Sequence, residues 1–404
     1  MPRIAFLAVS FLIALPCFGA ESDALAIDAA LQARHLPFGT VLDPIFAASD
    51  SDRITGYTRC GDSAIWTGHY LAAEAFRYKV TGSSDALDNV RAALAGIQLL
   101  VDVTGTDLLA RCAVPVDSPY LPGIAQEEAH NGVYAGSINQ QSYNWIGHTS
   151  RDEYVGVFFG LGVAHQMVND AQVQASIESL ATRMAAFLET NAWIAVMPDG
   201  AIGAEFLTRP DEQLALLQVA RRVNSNRFSS AYKRLETEAP LAIAPVAVDV
   251  QDVHGSYFKF NLDYIGLYTL IGNESSFIPR LFYRAAYAVL RRATENHQNP
   301  HFNMIDRALT GANAGRDADT AAYLDQWLQR PRRDAYVDLT GTVASCSGGE
   351  ACQPIPIGQR VPTDFLWQRD PFQLSGAGSG LIESAGIDYL LPYWMARYYG
   401  VIRE

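Results

Sequence analysis

Residues 63–104 read SAIWTGHYLAAEAFRYKVT, then GS, then SDALDNVRAALAGIQLLVDVT. Both longer segments repeat apolar residues at helical spacing, and strand-like alternation is scarce in them. Gly82 and Ser83 lie between the two segments and have the chemistry of a tight turn. This stretch therefore predicts a helical hairpin, and we expect the rest of the fold to repeat that unit.

The same pattern recurs along the chain. Further hairpins are predicted from residues 152–168 with 171–192, 211–223 with 228–238, 262–271 with 276–295, and 304–309 with 320–329. Single helices at 23–36 and 387–399 would pair with each other and complete six hairpins. Short links within pairs and longer links between them are typical of an (α/α)6 toroid. We therefore predict one all-α domain over residues 21–404, with long irregular loops at 113–147 and 332–385; an irregular helical bundle is the alternative.

The first twenty residues have the features of a secretory signal peptide. Arg3 precedes an apolar run from Ile4 to Phe18, and polar residues follow Ala20. The run is shorter than the ~20 residues that a membrane-spanning helix needs. We predict cleavage near residue 20 and a mature protein, secreted or periplasmic, that has no membrane span.

Four cysteines remain in the predicted mature chain: Cys60, Cys112, Cys346 and Cys352. An even number of cysteines in an oxidising compartment favours disulfides. Of the three possible pairings we favour Cys60–Cys112 and Cys346–Cys352, because the second pair closes a short loop that glycine makes flexible. No Cys-x-x-Cys occurs, and we predict neither a metal site nor a cofactor.

Composition and charge exclude several classes of protein. The chain has 404 residues, of which 49% are hydrophobic and 18% charged, as in a folded globular protein. Its 30 Lys and Arg stand against 43 Asp and Glu, and the net charge of −13 argues against nucleic acid as a partner. Neither Gly-x-Ser-x-Gly nor His-Glu-x-x-His occurs, which argues against an esterase or a metalloprotease.

Five aspartates lie at or near the predicted starts of helices: Asp62, Asp152, Asp211, Asp263 and Asp306. Carboxylates gathered around a cleft suit acid/base catalysis on a sugar, although helix N-termini attract Asp in any protein. Asp152 is distinguished because Ser150 and Glu153 have the spacing of a capping box, which would leave Asp152 free. We predict that Asp152 donates a proton and that Asp62 orients water or stabilises positive charge.

The neighbours of these aspartates are further candidates. His148 and Tyr154 flank Asp152 and are predicted to be catalytic as well. Aromatic rings can stack on sugar faces and arginine can bind a carboxylate, although core packing is the alternative for the rings. The predicted substrate-binding residues are Trp66, His69, Trp145, Arg151, His254, Asp263, Trp367 and Arg369. The glycine-rich residues 376–380 are predicted to form a flexible flap.

Several of these segments resemble a known superfamily. WTGHYLAAEAFRYKVTG (residues 66–82) and the helix that follows it resemble a hairpin of the six-hairpin glycosidases. RDEYVGVFF (151–159) and WIAVMPDG (193–200) are similar to segments of uncharacterised bacterial members of that superfamily. The unsaturated glucuronyl and rhamnogalacturonyl hydrolases are more distantly similar. The resemblance implies a toroid in which Asp152 is the general acid and base and Asp62 is its companion carboxylate.

Three functions are compatible with the sequence. The leading hypothesis is a glycoside hydrolase that acts on oligosaccharides through carboxylates. The second is a toroid-type polysaccharide lyase acting on uronate-containing glycans, in which Tyr154, His148, His254 and Arg151 handle the proton and the uronate. The third is a non-catalytic carbohydrate-binding protein of the cell envelope.

Overall fold

The computed structural model describes residues 20–255, 257–362 and 364–403, so the predicted signal peptide lies outside the described residues. Helices supply most of the regular structure. They are α1 (Glu21–Arg34), α2 (Ser63–Thr81), α3 (Ser84–Asp102), α4 (Leu121–Glu127), α5 (Arg151–Met167), α6 (Ala171–Thr190), α7 (Pro210–Val223), α8 (Ser225–Leu235), α9 (Ile243–Asp249), α10 (Phe258–Asn273), α11 (Phe277–Thr294), α12 (Pro300–Thr310), α13 (Ala314–Trp327) and α14 (Ile387–Tyr398).

The helices form the predicted hairpins. Consecutive pairs α2/α3, α5/α6, α7/α8, α10/α11 and α12/α13 pack against each other, and α1 contacts α14. The turn after α2 shows the local cause: Gly82 adopts a φ of 63°, and its N–H donates to the Tyr78 carbonyl at 2.8 Å. Glycine takes this left-handed conformation without steric cost, which ends the helix there.

The predicted all-α fold class is wrong, because the described residues also contain three antiparallel sheets. The strands are β1 (Asp43–Phe46), β2 (Ile54–Thr58), β3 (Cys112–Pro115), β4 (Val133–Ile138), β5 (Gln141–Ile146), β6 (Ile194–Val196), β7 (Ile202–Glu205), β8 (Arg333–Asp338) and β9 (Ser375–Glu383). They form sheets in the orders β2-β1-β9-β8, β3-β5-β4 and β6-β7. The protein is therefore mixed α/β, and the six-hairpin toroid is not shown.

Both stretches that we predicted to be irregular loops contain strands. β4 and β5 form a hairpin in which Val133 pairs with Ile146, and the predicted flap at residues 376–380 lies within β9. β9 pairs with β8 and, through Ile382, with Ile45 of β1. Its sequence, SGAGSGLIE, lacks the apolar alternation that reveals a strand, because pairing partners distant in the chain hold it in place.

Both predicted disulfides are confirmed. Cys60–Cys112 has a Cα–Cα distance of 5.4 Å and joins the 3₁₀ turn before α2 to β3. Cys346–Cys352, with a Cα–Cα distance of 5.0 Å, closes a short loop within the long segment that connects β8 to β9. Within the described ranges no helix combines the length and the apolar character that crossing a membrane requires. Both features are compatible with an extracellular or periplasmic location.

Helix α2 is the centre of the core. Every residue from Ser63 to Arg77 is buried, including a carboxylate and a guanidinium. Arg77 binds Glu74 at 2.9 Å and Asp28 at 2.8 Å, and Asn89 donates to both carboxylates. These bonds satisfy buried charges that would otherwise be costly.

The contact between α2 and α5 sets where the two helices begin. A Cβ atom on Gly68 would lie 2.2 Å from the Gly156 carbonyl oxygen, and one on Gly160 would lie 2.2 Å from the Gly68 carbonyl oxygen. Near the helix starts, the Glu153 carboxylate accepts a hydrogen bond from the Ile65 N–H at 2.7 Å. Because successive contacts advance along both helices, α2 and α5 run parallel and their N-termini lie at the same end.

Replacing Gly68 with Ala is expected to destabilise the fold by about 3 kcal/mol, because the new methyl group meets backbone rather than a movable side chain. The matched control is Gly272→Ala in α10, where an added Cβ meets nothing within 4 Å. The control should be neutral or stabilise by up to about 1 kcal/mol. Urea unfolding measures both changes, and equal stability of the two variants would contradict the close crossing.

Candidate functional site

A cavity of about 310 Å³ lies at the end where α2 and α5 begin. The start of α10 and the segment 364–369 complete its wall. Its lining combines three carboxylates with apolar, amide and guanidinium groups: Asp62, Ile65, Trp66, Asp152, Phe258, Asn261, Leu262, Asp364, Gln368 and Arg369. Asp62 and Asp152, which are 90 residues apart in the sequence, thus line the same cavity.

Asp62 directly precedes α2 and lines the cavity, where 45% of its side-chain surface is exposed. Its carboxylate is 3.5 Å from Nε2 of Gln368 and 4.0 Å from Nη1 of Arg111. Burial raises the pKa of Asp62 to about 6, and the charge of Asp152 adds to the shift while Arg111 opposes it. Asp62 therefore exchanges its proton in the mildly acidic range.

Asp152 is the second residue of α5. No other described residue donates a hydrogen bond to its carboxylate. Burial raises its pKa, and the positive charges of Arg111 and Arg151 oppose that shift. The two aspartates share the cavity but differ in the balance of burial and positive charge around them.

The capping box that we predicted at the start of α5 is wrong. The Ser150 side chain makes no capping hydrogen bond. Glu153 is fully buried and binds the Ile65 N–H and Arg111, the latter at 3.2 Å, instead of turning back to residue 150. Glu153 therefore binds the start of α2 rather than the start of its own helix. Asp152 lines the cavity, although the reason that we gave for expecting it to be free does not hold.

Asp364 and Arg369 also line the cavity. The Asp364 carboxylate is held between two guanidiniums: Nε of Arg369, and Nη2 of Arg59 at 2.6 Å. Arg59 also binds Asp43 at 3.1 Å. Because ion pairs hold Asp364 on both sides, it orients Arg369 at the cavity and is less suited to proton transfer.

Trp66 lines the cavity, and the rings of His69 and Trp367 pack against it. Neither His69 nor Trp367 is accessible to solvent, and the His69 ring lies 5.2 Å from Trp66 and 5.1 Å from Trp367. Nδ1 of His69 is 2.9 Å from the Ile65 carbonyl and Nε2 is 3.0 Å from Nδ2 of Asn261. Burial lowers the pKa of His69 to about 4, so the neutral ring donates to Ile65 and accepts from Asn261. The predicted substrate contacts of His69 and Trp367 are therefore not seen.

The catalytic candidates beside Asp152 do not reach the cavity. Tyr154 is fully buried in the core, and its hydroxyl accepts a hydrogen bond from the Leu109 N–H at 3.2 Å. Burial raises the pKa of Tyr154, so the hydroxyl keeps its proton and the tyrosinate that would act as a base does not form near neutral pH. His148 is exposed at a φ of 50°, and its carbonyl accepts from Arg111. The geometry does not support a catalytic role for either residue.

Four predicted substrate-binding residues also lie elsewhere. Trp145 is buried and stacks on Tyr134, with ring centroids 4.7 Å apart. Arg151 binds Glu212 at 2.9 Å. His254 is exposed beside Asp370. Asp263 is buried against Arg209, and it is the sixth residue of α10 rather than a first-turn residue.

Of the five aspartates expected near helix starts, only Asp62 and Asp152 line the cavity. Asp211 and Asp263 both bind Arg209. Asp306 lies in the middle of α12 and binds Tyr287 and Arg316. These three carboxylates stabilise buried ion pairs.

Sequence reasoning missed several residues of the site. Asn261, which was not among the predicted site residues, lies inside α10 and lines the cavity. Asp364, Gln368 and Arg111 gave no local signal, because their positions depend on contacts across the fold. A signal did exist for the crossing: Gly156 and Gly160 lie four residues apart inside a helix, where glycine is costly unless another backbone approaches.

Comparison of the chain with protein-family models, curated proteins and solved structures finds no significant match. The resemblance to six-hairpin glycosidases stays a prediction, since a shared scaffold would not by itself fix the function.

Replacing Asp62 with Asn is expected to raise the melting temperature at pH 7.5 and to leave it unchanged at pH 3.5. The pKa of Asp62 rises from 3.8 to about 6 on folding, so the folded protein holds an unfavourable charge at the higher pH. At the lower pH the carboxyl group is protonated in both states. The control is Asp88→Asn at an exposed position of α3, which should show no such gain. If the difference in melting temperature between Asp62→Asn and the native protein were the same at both pH values, the raised pKa of Asp62 would be contradicted.

Proposed function

We propose that the protein is a glycoside hydrolase that acts on oligosaccharides outside the cytoplasm. One observation carries the proposal: Asp62 and Asp152, both with raised pKa, line a single cavity whose lining also includes Trp66. Hydrolysis of a glycosidic bond needs one carboxyl group that keeps its proton and a second that loses it.

The surroundings of the two aspartates favour Asp62 as the acid. With a pKa of about 6, Asp62 retains its proton in mildly acidic solution and can transfer it to the glycosidic oxygen as the bond to the anomeric carbon breaks. Asp152 is the better anion, because Arg111, Arg151 and Arg209 all stabilise its charge, whereas the carboxylates of Asp152 and Glu128 oppose the charge of Asp62. It would take a proton from the attacking water or bind the anomeric carbon directly. This assignment reverses the roles predicted from the sequence.

The remaining lining residues suit a sugar. Trp66 and Phe258 offer aromatic surface, and the amides of Asn261 and Gln368 can exchange hydrogen bonds with hydroxyl groups. Arg369 adds a guanidinium to the lining.

The lyase alternative loses its residues in this geometry. Tyr154 lies in the core, Arg151 binds Glu212, and His148 and His254 lie outside the cavity lining. The binding-protein alternative predicts the same cavity without turnover, so it is decided by experiment.

Incubation of the mature protein with a panel of neutral and acidic oligosaccharides is expected to give products whose combined mass exceeds that of the substrate by one water. Asp62→Asn and Asp152→Asn should each lower the rate at least about 100-fold, because each removes a proton-transfer group. Asp88→Asn is the control: it removes the same charge at an exposed site outside the cavity lining, and its rate should equal that of the native protein. Mass spectrometry would contradict the proposal if it showed full turnover by Asp152→Asn, unsaturated products, or saturable binding without product.

The rate is also expected to depend on pH in a defined direction. Loss of the Asp62 proton should lower kcat/KM as pH rises through about 6, and protonation of Asp152 should lower it at more acidic pH. In Asp62→Asn the basic limb should disappear from the residual activity. A basic limb that persists unchanged in that variant would assign the acid to another group.

A further inference from the structure

A second group of side chains lies beyond the cavity wall. His254, Glu350 and Asp370 come from three separate parts of the chain, and their ligand atoms all lie within 4.8 Å of one another. The loop before α10 carries His254, the Cys346–Cys352 loop carries Glu350, and Asp370 follows the cavity residue Arg369.

The local contacts differ between the two carboxylates of this group. Nδ1 of His254 is 2.6 Å from one Asp370 oxygen, and the other Asp370 oxygen accepts a hydrogen bond from the Phe372 N–H at 2.9 Å. Among the described residues, nothing donates a hydrogen bond to the Glu350 carboxylate or forms an ion pair with it. The charge of the buried Arg360 guanidinium acts on Asp370, although its N–H groups donate to the carbonyls of Ile355 and His297 and not to either carboxylate.

The donor set selects among metal ions. One imidazole nitrogen with two carboxylate oxygens suits Zn²⁺ and similar transition ions, whereas Ca²⁺ prefers six to eight oxygen ligands. Ligand atoms around tetrahedral zinc are about 3.4 Å apart, given bonds of about 2.1 Å. The His254–Asp370 separation is 2.6 Å and no separation in the group exceeds 4.8 Å, so side-chain movements of about 1 Å would reach that value.

We propose that His254, Glu350 and Asp370 bind one divalent transition-metal ion of the zinc type, with water as the fourth ligand. The ion would replace the proton that His254 shares with Asp370, and this proton would move to Nε2 or to solvent. This site is independent of the proposed glycosidase activity, and it reverses the expectation from the sequence that the chain has no metal site.

Such an ion would have a structural effect at the cavity. Asp370 is bonded to Arg369 in the chain, and His254 lies four residues before Phe258 at the opposite part of the cavity lining. A shared ion would tie the segment 364–370 to the start of α10.

Titration calorimetry of the metal-free mature protein with Zn²⁺ is expected to show one site per chain, and Zn²⁺ should raise the melting temperature more than Ca²⁺ does. His254→Gln and Glu350→Gln should each weaken Zn²⁺ binding at least about tenfold, because each removes a ligand. The matched control is His130→Gln, an exposed histidine in a 3₁₀ turn, which should bind Zn²⁺ as the native protein does.

Each other outcome would overturn the site. These outcomes are no Zn²⁺ binding by the native protein, equal affinity in His254→Gln, equal loss in His130→Gln, and Ca²⁺ binding as tight as that of Zn²⁺. Melting in the presence of a chelator shows whether the variants fold. If Glu350→Gln does not, His254→Gln decides the question, because its side chain is half exposed and packs little.

Discussion

The backbone contact between α2 and α5 is the constraint on which the site depends. Gly68, Gly156 and Gly160 let the two helices touch without side chains between them, and Glu153 fixes their register by binding the Ile65 N–H. The helix starts are therefore placed side by side, and Asp62 and Asp152 reach one cavity. The Cys60–Cys112 bond holds the turn that carries Asp62 to β3, so the position of this acid is set from both sides.

Burial gives the two aspartates their chemistry, and it has a cost. Arg111 lies between Glu153 and Asp62, so one guanidinium stabilises the fully buried carboxylate of Glu153 and the cavity-lining carboxylate of Asp62. Asp211 and Asp263 are neutralised by Arg209 in the same way, but away from the cavity. Both groups of aspartates have a guanidinium nearby, and what differs is whether a cavity is adjacent.

Much of the helical framework and both disulfides could be predicted from the sequence, because helix periodicity, turn residues such as Gly82 and the spacing of Cys346 and Cys352 are local signals. The fold class could not. β9 is rich in glycine, and only its pairing with β8 and β1 makes it a strand. For the site, Asp62, Asp152, Trp66 and Arg369 were within reach of local reasoning. Tyr154 and Trp145 were misjudged, since an aromatic residue near a helix start has the same pattern in a core as in a cleft.

The two sides of the cavity differ in how far they can change. The α2–α5 side is set by backbone against backbone, so no exchange of side chains can bring those helices closer together. The 364–369 side is a connecting segment whose shape follows from ion pairs and a neighbouring loop. Substitutions that widen or narrow the cavity are therefore expected in the 364–369 segment. The distance between Asp62 and Asp152 should stay constant, because α2 and α5 hold both residues.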